Sequence, residues 1–308
     1  MKILITGASG VLGSAIYAAF NSSSNVTGNK VIGTAFSRAK DHPDLYALDL
    51  LDESAVEQTI VEFRPDWIIH CAAERRPDVA EKDPEGAKKL NAGVTENLGK
   101  LAAKYSSTLV YISTDYVFDG TNPPYAPDAT PNPLQLYGRT KYAGEVALQN
   151  IGLENYVILR VPVLYGPAPK NTDSAVNILI DIVQDQSGKT YKMDHYATRY
   201  PTNVLDIADF LVRLTGSKLS RPLPKIIHYS GDEPFTKYEM CLIFSKLLKL
   251  PHTHIIPDAG PPTGAGATTR PRDCHLDCRE TEAIGVEGGL GLSLFEDWWE
   301  AKFLKDNQ

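Results

Sequence analysis

The sequence predicts an α/β protein: a doubly wound parallel sheet over residues 1–166, then a smaller C-terminal α/β domain of the substrate-binding type over 167–308, with some exchange of segments between them. Three observations carry this expectation. An apolar strand, Lys2 to Ile5, runs into three glycines spaced three apart, Gly7, Gly10 and Gly13, and then into a helical segment, Ser14 to Phe20. Short apolar runs alternate with segments of helical period as far as Gly166, as in parallel strands joined by crossover helices. Past Gly166 the alternation breaks. Strand, tight turn and helix at the start make the sheet Rossmann-type, with its ligand at the carboxyl ends of the strands.

The opening turn has a chemical reading. Gly7 lets the chain leave the strand at an angle closed to residues with a Cβ, Gly10 lets the backbone approach a pyrophosphate, and Gly13 lets the helix pack against the sheet. Backbone N–H groups along Ala8, Ser9, Val11 and Leu12, at the helix start, are placed to hold phosphates. A dinucleotide is therefore expected. The spacing GxxGxxG resembles that of the short-chain dehydrogenase/reductase superfamily, particularly its extended branch.

Ser22 to Asn29 reads as a Ser/Asn/Gly loop and Lys30 to Phe36 as a second strand. An NAD site commonly places an acid at this strand end for the ribose hydroxyls, whereas this chain has Phe36-Ser37-Arg38. A guanidinium holds a 2′-phosphate that an acid would repel, so NADP is expected over NAD. Leu45 to Leu50 reads as a third strand, Ser54 to Phe63 as a helix with Val56, Ile60 and Phe63 on one face, and Asp66 to Ala73 as a buried fourth strand. Asp49-Leu50 resembles the superfamily's adenine contact, and Cys71-Ala72-Ala73 the small-residue motif that ends its fourth strand. In the charged loop Glu74 to Glu81, Arg75 and Arg76 either serve a phosphate or carboxylate or face solvent. Lys88 to Tyr105 reads as one long helix, whose Asn91 matches the superfamily's Asn that supports the catalytic lysine through water.

Thr108 to Gly120 is a fifth strand and its exit loop, and the helix opening at Leu136 carries Tyr137 and Lys141 four apart, on one face. A free phenol has a pKa near 10, so acid or base work near neutrality calls for a cation that favours the phenolate. Lys141 is expected to supply it and to bind ribose hydroxyls, while Thr114 hydrogen-bonds the substrate oxygen that Tyr137 protonates. Tyr156 to Gly166 is a sixth strand running into a loop. Ser174 to Gln184 follows as a helix, Met193 to Thr202 as a polar and aromatic pocket wall, Asn203 to Leu214 as a helix, Lys225 to Ser230 as a strand and Thr236 to Leu248 as a helix. Pro257 to Thr269 is Pro/Gly-rich and expected to be mobile. A terminal helix, Leu294 to Leu304, carries Trp298 and Trp299.

Composition excludes several classes. The 308 residues carry a formal net charge of -7, which gives no overall support to nucleic-acid binding. No apolar run approaches the roughly 20 residues of a membrane helix, and the first strand leaves no room for a signal peptide, so a soluble, cytoplasmic protein is expected. The four cysteines fit a reducing compartment, and Cys274-His275-x-x-Cys278 lacks a second ligand pair at zinc spacing; no metal is expected.

Ser113-Thr114-Asp115-Tyr116-Val117-Phe118-Asp119-Gly120, Tyr137-Gly138-x-Thr140-Lys141, Arg270-Pro271-Arg272 and Leu276-Asp277 resemble the dTDP-4-dehydrorhamnose reductase group. His70 to Val79, Thr121 to Tyr125, Met193-Asp194-His195 and Thr236 to Met240 resemble, within it, the family of regulatory beta subunits of methionine adenosyltransferase. That resemblance implies a reductase fold that binds NADP and regulates the catalytic subunit making S-adenosylmethionine. It implies cofactor contacts at Thr6 to Ser9, Phe36 to Arg38, Asp49, Leu50, Cys71, Arg75, Tyr137 and Leu164. Where the reductases carry an aromatic and small polar residues, this chain has Glu74-Arg75-Arg76, which weakens a nucleotide-sugar reductase assignment without excluding another carbonyl. The chain also starts at strand one, without an N-terminal extension, and its Ser22 to Asn29 loop is long. Whether the protein is an enzyme stays open, because Thr114, Tyr137 and Lys141 fit a regulatory subunit and an NADPH-dependent reductase alike. The surplus of apolar residues around Trp298 and Trp299 suggests a handle for the catalytic subunit, as in that family, with packing inside the chain as the alternative.

Overall fold

The computed structural model describes residues 1–217, 222–261 and 270–306. It begins with β1 (Lys2–Thr6), α1 (Val11–Thr27), β2 (Lys30–Ala35), β3 (Tyr46–Ala47), α2 (Glu53–Phe63) and β4 (Trp67–His70). Helices α3 (Pro77–Lys82), α4 (Pro84–Lys88) and α5 (Val94–Tyr105) follow, the last two joined by a π-helical turn at Lys89–Gly93. Then come β5 (Thr108–Thr114), α6 (Leu136–Asn150), β6 (Tyr156–Val161), β7 (Leu164–Tyr165), α7 (Ile178–Gln184), β8 (Tyr191–Asp194) and β9 (Thr202–Asn203). The chain ends with α8 (Val204–Gly216), β10 (Ile226–His228), α9 (Lys237–Leu248), β11 (Ile255–Asp258), α10 (Arg279–Glu282) and α11 (Phe295–Asp306).

Seven strands form one parallel sheet in the order β3-β2-β1-β4-β5-β6-β10. Its central strands carry unbroken apolar runs, Ile3-Leu4-Ile5 and Val157-Ile158-Leu159 among them, because both faces are covered. Helices α1 and α8 bury Ile16, Phe20, Ile207, Phe210 and Leu211 on one face, and α2, α5 and α6 bury Val56, Ile60, Leu98 and Leu148 on the other. This is the doubly wound Rossmann-type sheet read from the sequence. Strand order reverses between β1 and β4, which opens a crevice at their carboxyl ends. Helix α8 and strand β10, from the second half of the chain, complete the sheet layer, with Ile226 beside Ile158 and His228 beside Arg160. A second, smaller core gathers Tyr165, Val176, Leu179, Phe244, Phe295 and Trp299 between α7, α9 and α11.

Several local expectations are corrected. Helix α1 runs through the expected Ser22 to Asn29 loop to Thr27, and Gly28, at φ +69°, follows its end. Ser and Asn cost a helix only a few tenths of a kcal/mol each, so an established helix carries them. Strand β3 spans two residues instead of Leu45 to Leu50; Leu48 and Leu50 are buried by packing, which left a strand-like pattern without a ladder. The long helix from Lys88 is interrupted by the π turn. The sixth strand stops before Pro162, which has no N–H for a ladder, and Leu164–Tyr165 pairs with Thr202–Asn203 instead. The helix expected from Ser174 starts at Ile178, because the Ser174 hydroxyl accepts from the N–H groups of Val176 and Asn177 in a turn. Ile255–Asp258 forms a strand beside β8, and 262–269 of the Pro/Gly-rich stretch lies outside the described residues. Among the described residues no helix is long and apolar enough to cross a membrane. Cys274 and Cys278 are free thiols, and Cys274 packs with Phe118 and Tyr125.

Candidate functional site

The crevice is a cavity of about 530 Å³ built around the glycine turn. Gly7 sits at φ +67°, and a Cβ there would stand 2.7 Å from the backbone N of Ala72. A Cβ on Gly13 would collide with the Gly7 carbonyl, so α1 approaches β1 only because residue 13 is glycine. On Gly10, which lines the cavity, a Cβ would meet nothing nearer than the Gly7 oxygen at 3.2 Å, and the bare backbone leaves room for a pyrophosphate to come close. The turn thus fits a dinucleotide.

Most residues singled out from the sequence line this one cavity: Gly7, Ser9 to Gly13, Phe36 to Arg38, Asp49, Leu50, Cys71 to Ala73, Arg75, Thr114, Tyr137, Lys141 and Leu164. Three lie behind the wall. Thr6 is fully buried with its hydroxyl 2.7 Å from His70 Nδ1. Ala8 belongs to the apolar core, and its N–H donates to Thr34 O at 2.9 Å, tying the turn to β2. Asn91, at the π turn, accepts from Glu74 N at 2.8 Å and donates to Glu74 O and Thr140 Oγ1 at 3.0 Å. Its amide therefore pins the loop that carries Arg75 to the helix that carries Lys141.

Helix α6 presents Tyr137 and Lys141 one turn apart, and a buried cluster fixes its position. Glu145 takes Arg160 in a two-pronged pair, Nη2 to Oε2 at 2.7 Å and Nε to Oε1 at 3.0 Å, and Ser113 also donates to Glu145. Both charged side chains are at most 2% exposed. Lys141 is buried too, its Nζ 4.0 Å from the centroid of the Tyr111 ring. Burial pulls its pKa down to about 7, against the opposing charge of Glu145. The Tyr137 phenol is held above its ordinary range by burial; a hydrogen bond with Thr114 and, more weakly, the charge of Arg75 work the other way. Arg75 thus adds positive charge near Tyr137, and the Lys141 ammonium stands over the Tyr111 ring. Burial also pushes Asp115 up to about 7, although Arg199 opposes it.

Arginines ring the mouth. Arg38 Nη1 and Arg75 Nη2 stand 3.4 and 3.8 Å from the carboxylate of Asp173, and Arg76 forms its own pair with Glu74 at 2.9 Å. Arg199, Lys237 and Arg270 also line the cavity. Burial, then Arg270 and Arg199, pull Lys237 down to about 8. Of these, Arg199 falls in the stretch read as a pocket wall, and Lys237 and Arg270 within the strings that carried the resemblance. Asp173 had no signal: it follows a Pro-rich segment and meets Arg38 across 135 positions of sequence.

The terminal helix α11 packs inside the chain through Phe295 and Trp299, whose rings meet Tyr165 at 5.0 and 5.9 Å. Trp298 is half-buried against the same tyrosine at 5.4 Å. Intramolecular packing thus accounts for both tryptophans, while Leu294 and Leu304 stay 57% and 61% exposed.

Residues 1–288 match the family described as the RmlD substrate binding domain. The chain is 48% identical over 286 residues to methionine adenosyltransferase 2 subunit beta of Xenopus tropicalis, spanning 92% of this chain and 83% of that protein. Among solved structures, dTDP-4-dehydrorhamnose reductase of Bacillus anthracis in complex with NADP superposes with a TM-score of 0.82 at 26% identity, over 99% of both chains. A dTDP-4-dehydrorhamnose reductase of Clostridium acetobutylicum gives 0.82 at 25% identity over the full length of both.

Proposed function

The chain belongs to the family of the RmlD substrate binding domain, within the reductase-like short-chain dehydrogenases, and from that premise we propose that it is an NADP-binding regulatory partner of a methionine adenosyltransferase catalytic subunit. The observation that carries this reading is the 48% identity, across nearly the whole chain, to a protein named as a beta subunit of that enzyme. In this reading residues 1–166 form the cofactor-binding half and the remainder closes the cleft, apart from α8 and β10, which return to the sheet.

The residues present support NADP in particular. Backbone groups from Gly7 to Gly13 would hold the pyrophosphate, Asp49 and Leu50 the adenine, Arg38 the 2′-phosphate, and Tyr137 and Lys141 the nicotinamide ribose. Bound NADPH supplies a hydride. Cys71, Ala72 and Ala73 form a small-residue lining that leaves room for the flat rings, and Leu164 lines the same cavity.

A second reading, an NADPH-dependent carbonyl reductase, is favoured by one observation: Thr114, Tyr137 and Lys141 line the same cavity. There Thr114 would orient a carbonyl oxygen and Tyr137 would donate the proton. The raised phenol pKa suits a proton donor and leaves phenolate scarce near neutrality. For contact with the catalytic subunit, the exposed Leu294 and Leu304 that flank the docked part of α11 are the proposed handle. Co-expression with a methionine adenosyltransferase catalytic subunit and recovery of both chains through a tag on one tests the main reading.

A further inference from the structure

Arg38 leaves the end of β2, Arg75 follows β4, and Asp173 comes from the turn before α7 on the other wall; all three line the cavity. One carboxylate thus faces two guanidiniums from separate strand ends, at 3.4 and 3.8 Å. The backbone beneath Asp173 is tied down: Ser174 Oγ donates to Leu164 O at 2.7 Å, and Asn177 Nδ2 donates to Gly166 O at 2.8 Å. Glu74 is engaged by Arg76 through both oxygens, so it is Asp173 that faces the other two arginines. With Arg38 and Arg75 positive and Asp173 negative, the trio holds one net positive charge. Two arginines sharing one carboxylate form an anion site whose first occupant belongs to the chain.

We propose that Asp173 is a specificity-determining residue of the cleft, an internal carboxylate that competes with the 2′-phosphate of NADP for Arg38 and Arg75. The inference rests on the dinucleotide reading above. A phosphate dianion offers three oxygens and up to twice the charge of a carboxylate, so it displaces Asp173 from the guanidiniums. The ribose hydroxyls of NAD carry no charge and do not. Asp173 therefore sets how tightly the 2′-phosphate is held, while the turn before α7 stays anchored by Ser174 and Asn177.

The test is calorimetric titration of NADP⁺, NAD⁺ and 2′,5′-ADP into the parent chain and into Asp173→Asn, which keeps the side chain's size. The two ion pairs are part-exposed and weak, so their removal should tighten NADP⁺ and 2′,5′-ADP by roughly three- to tenfold. NAD⁺ should change by less than about twofold, since it presents no 2′-charge. Thermal melting of the variant should match the parent. NADP⁺ affinity that is unchanged or weaker in a folded variant overturns the proposal, as does an equal gain for NAD⁺, which would assign the arginines to the shared pyrophosphate. In both of those cases a parent that still prefers NADP⁺ leaves the cofactor reading standing; a parent binding both dinucleotides equally overturns that reading and this proposal together.

Discussion

The floor of the cleft and its rim are built on opposite terms. On the floor, Lys141, Glu145 and Arg160 are buried; burial lowers the pKa of Lys141, and Glu145 and Arg160 hold each other out of water. On the rim, Arg38 and Arg75 keep 40% and 44% of their side chains in solvent and pair weakly with Asp173. A buried pair broken on one side leaves an uncompensated charge, whereas an exposed pair is screened and worth little to stability. Under the proposed function, the floor positions a ligand and the rim selects it. Floor substitutions should therefore register in unfolding experiments and rim substitutions in binding ones.

Glu145→Ala should have the largest effect. It strands Arg160 at 2% side-chain exposure, at a cost of about 3 to 5 kcal/mol in urea unfolding. A loss below about 1 kcal/mol would mean that the floor behaves like the rim.

Lys141→Met comes next and should stabilise the protein. Folded, Lys141 holds its proton less tightly than unfolded, so between about pH 7 and the ordinary lysine value of 10.5 the unfolded chain carries more protons and stability rises with pH. The cost of the buried ammonium is full below pH 7 and fades toward pH 10. At about 1.4 kcal/mol per tenfold change in proton affinity, the variant should exceed the parent by a few kcal/mol at pH 6 and by much less at pH 10. An advantage independent of pH would show that packing, not charge, decides this site.

Arg38→Ala is the smallest change and the cleanest rim probe. Loss of one charge-assisted contact, about 1.5 to 3 kcal/mol, should weaken NADP⁺ binding by one to two orders of magnitude while NAD⁺ binding and the melting temperature hold. Titration calorimetry showing an equal fall for both dinucleotides would remove the selective role of the rim.

Part of the floor and part of the rim were legible in the sequence: Lys141 on the one, Arg38 and Arg75 on the other. Gly7, Gly10 and Gly13 announce a backbone geometry that few other residues allow, and Tyr137 and Lys141 share a helix face whatever the tertiary packing. Cofactor-facing residues at strand ends follow from the alternation itself, because a parallel sheet puts those ends on one edge. What stayed hidden depends on distant partners. Asp173 meets its arginines only through the folded chain, and Glu145 and Arg160 pair between a helix and a strand with no local pattern to mark them. The spacing of Tyr137 and Lys141 likewise says nothing of the Tyr111 ring beneath the ammonium, which comes from a separate strand. The surplus of apolar residues in the terminal helix was legible, but its chief use, burial of Phe295 and Trp299 against Tyr165, requires the second core to be known.

The central claim is association with a methionine adenosyltransferase, and sedimentation velocity on the purified chain mixed with the catalytic subunit of the same organism tests it most directly. The parent chain should run with the catalytic subunit as one faster-sedimenting complex. The Leu294→Asp/Leu304→Asp double variant should give two separate species, with NADP⁺ binding unchanged because both leucines lie outside the cleft. A folded, NADP-binding parent chain that sediments independently of the catalytic subunit would contradict it.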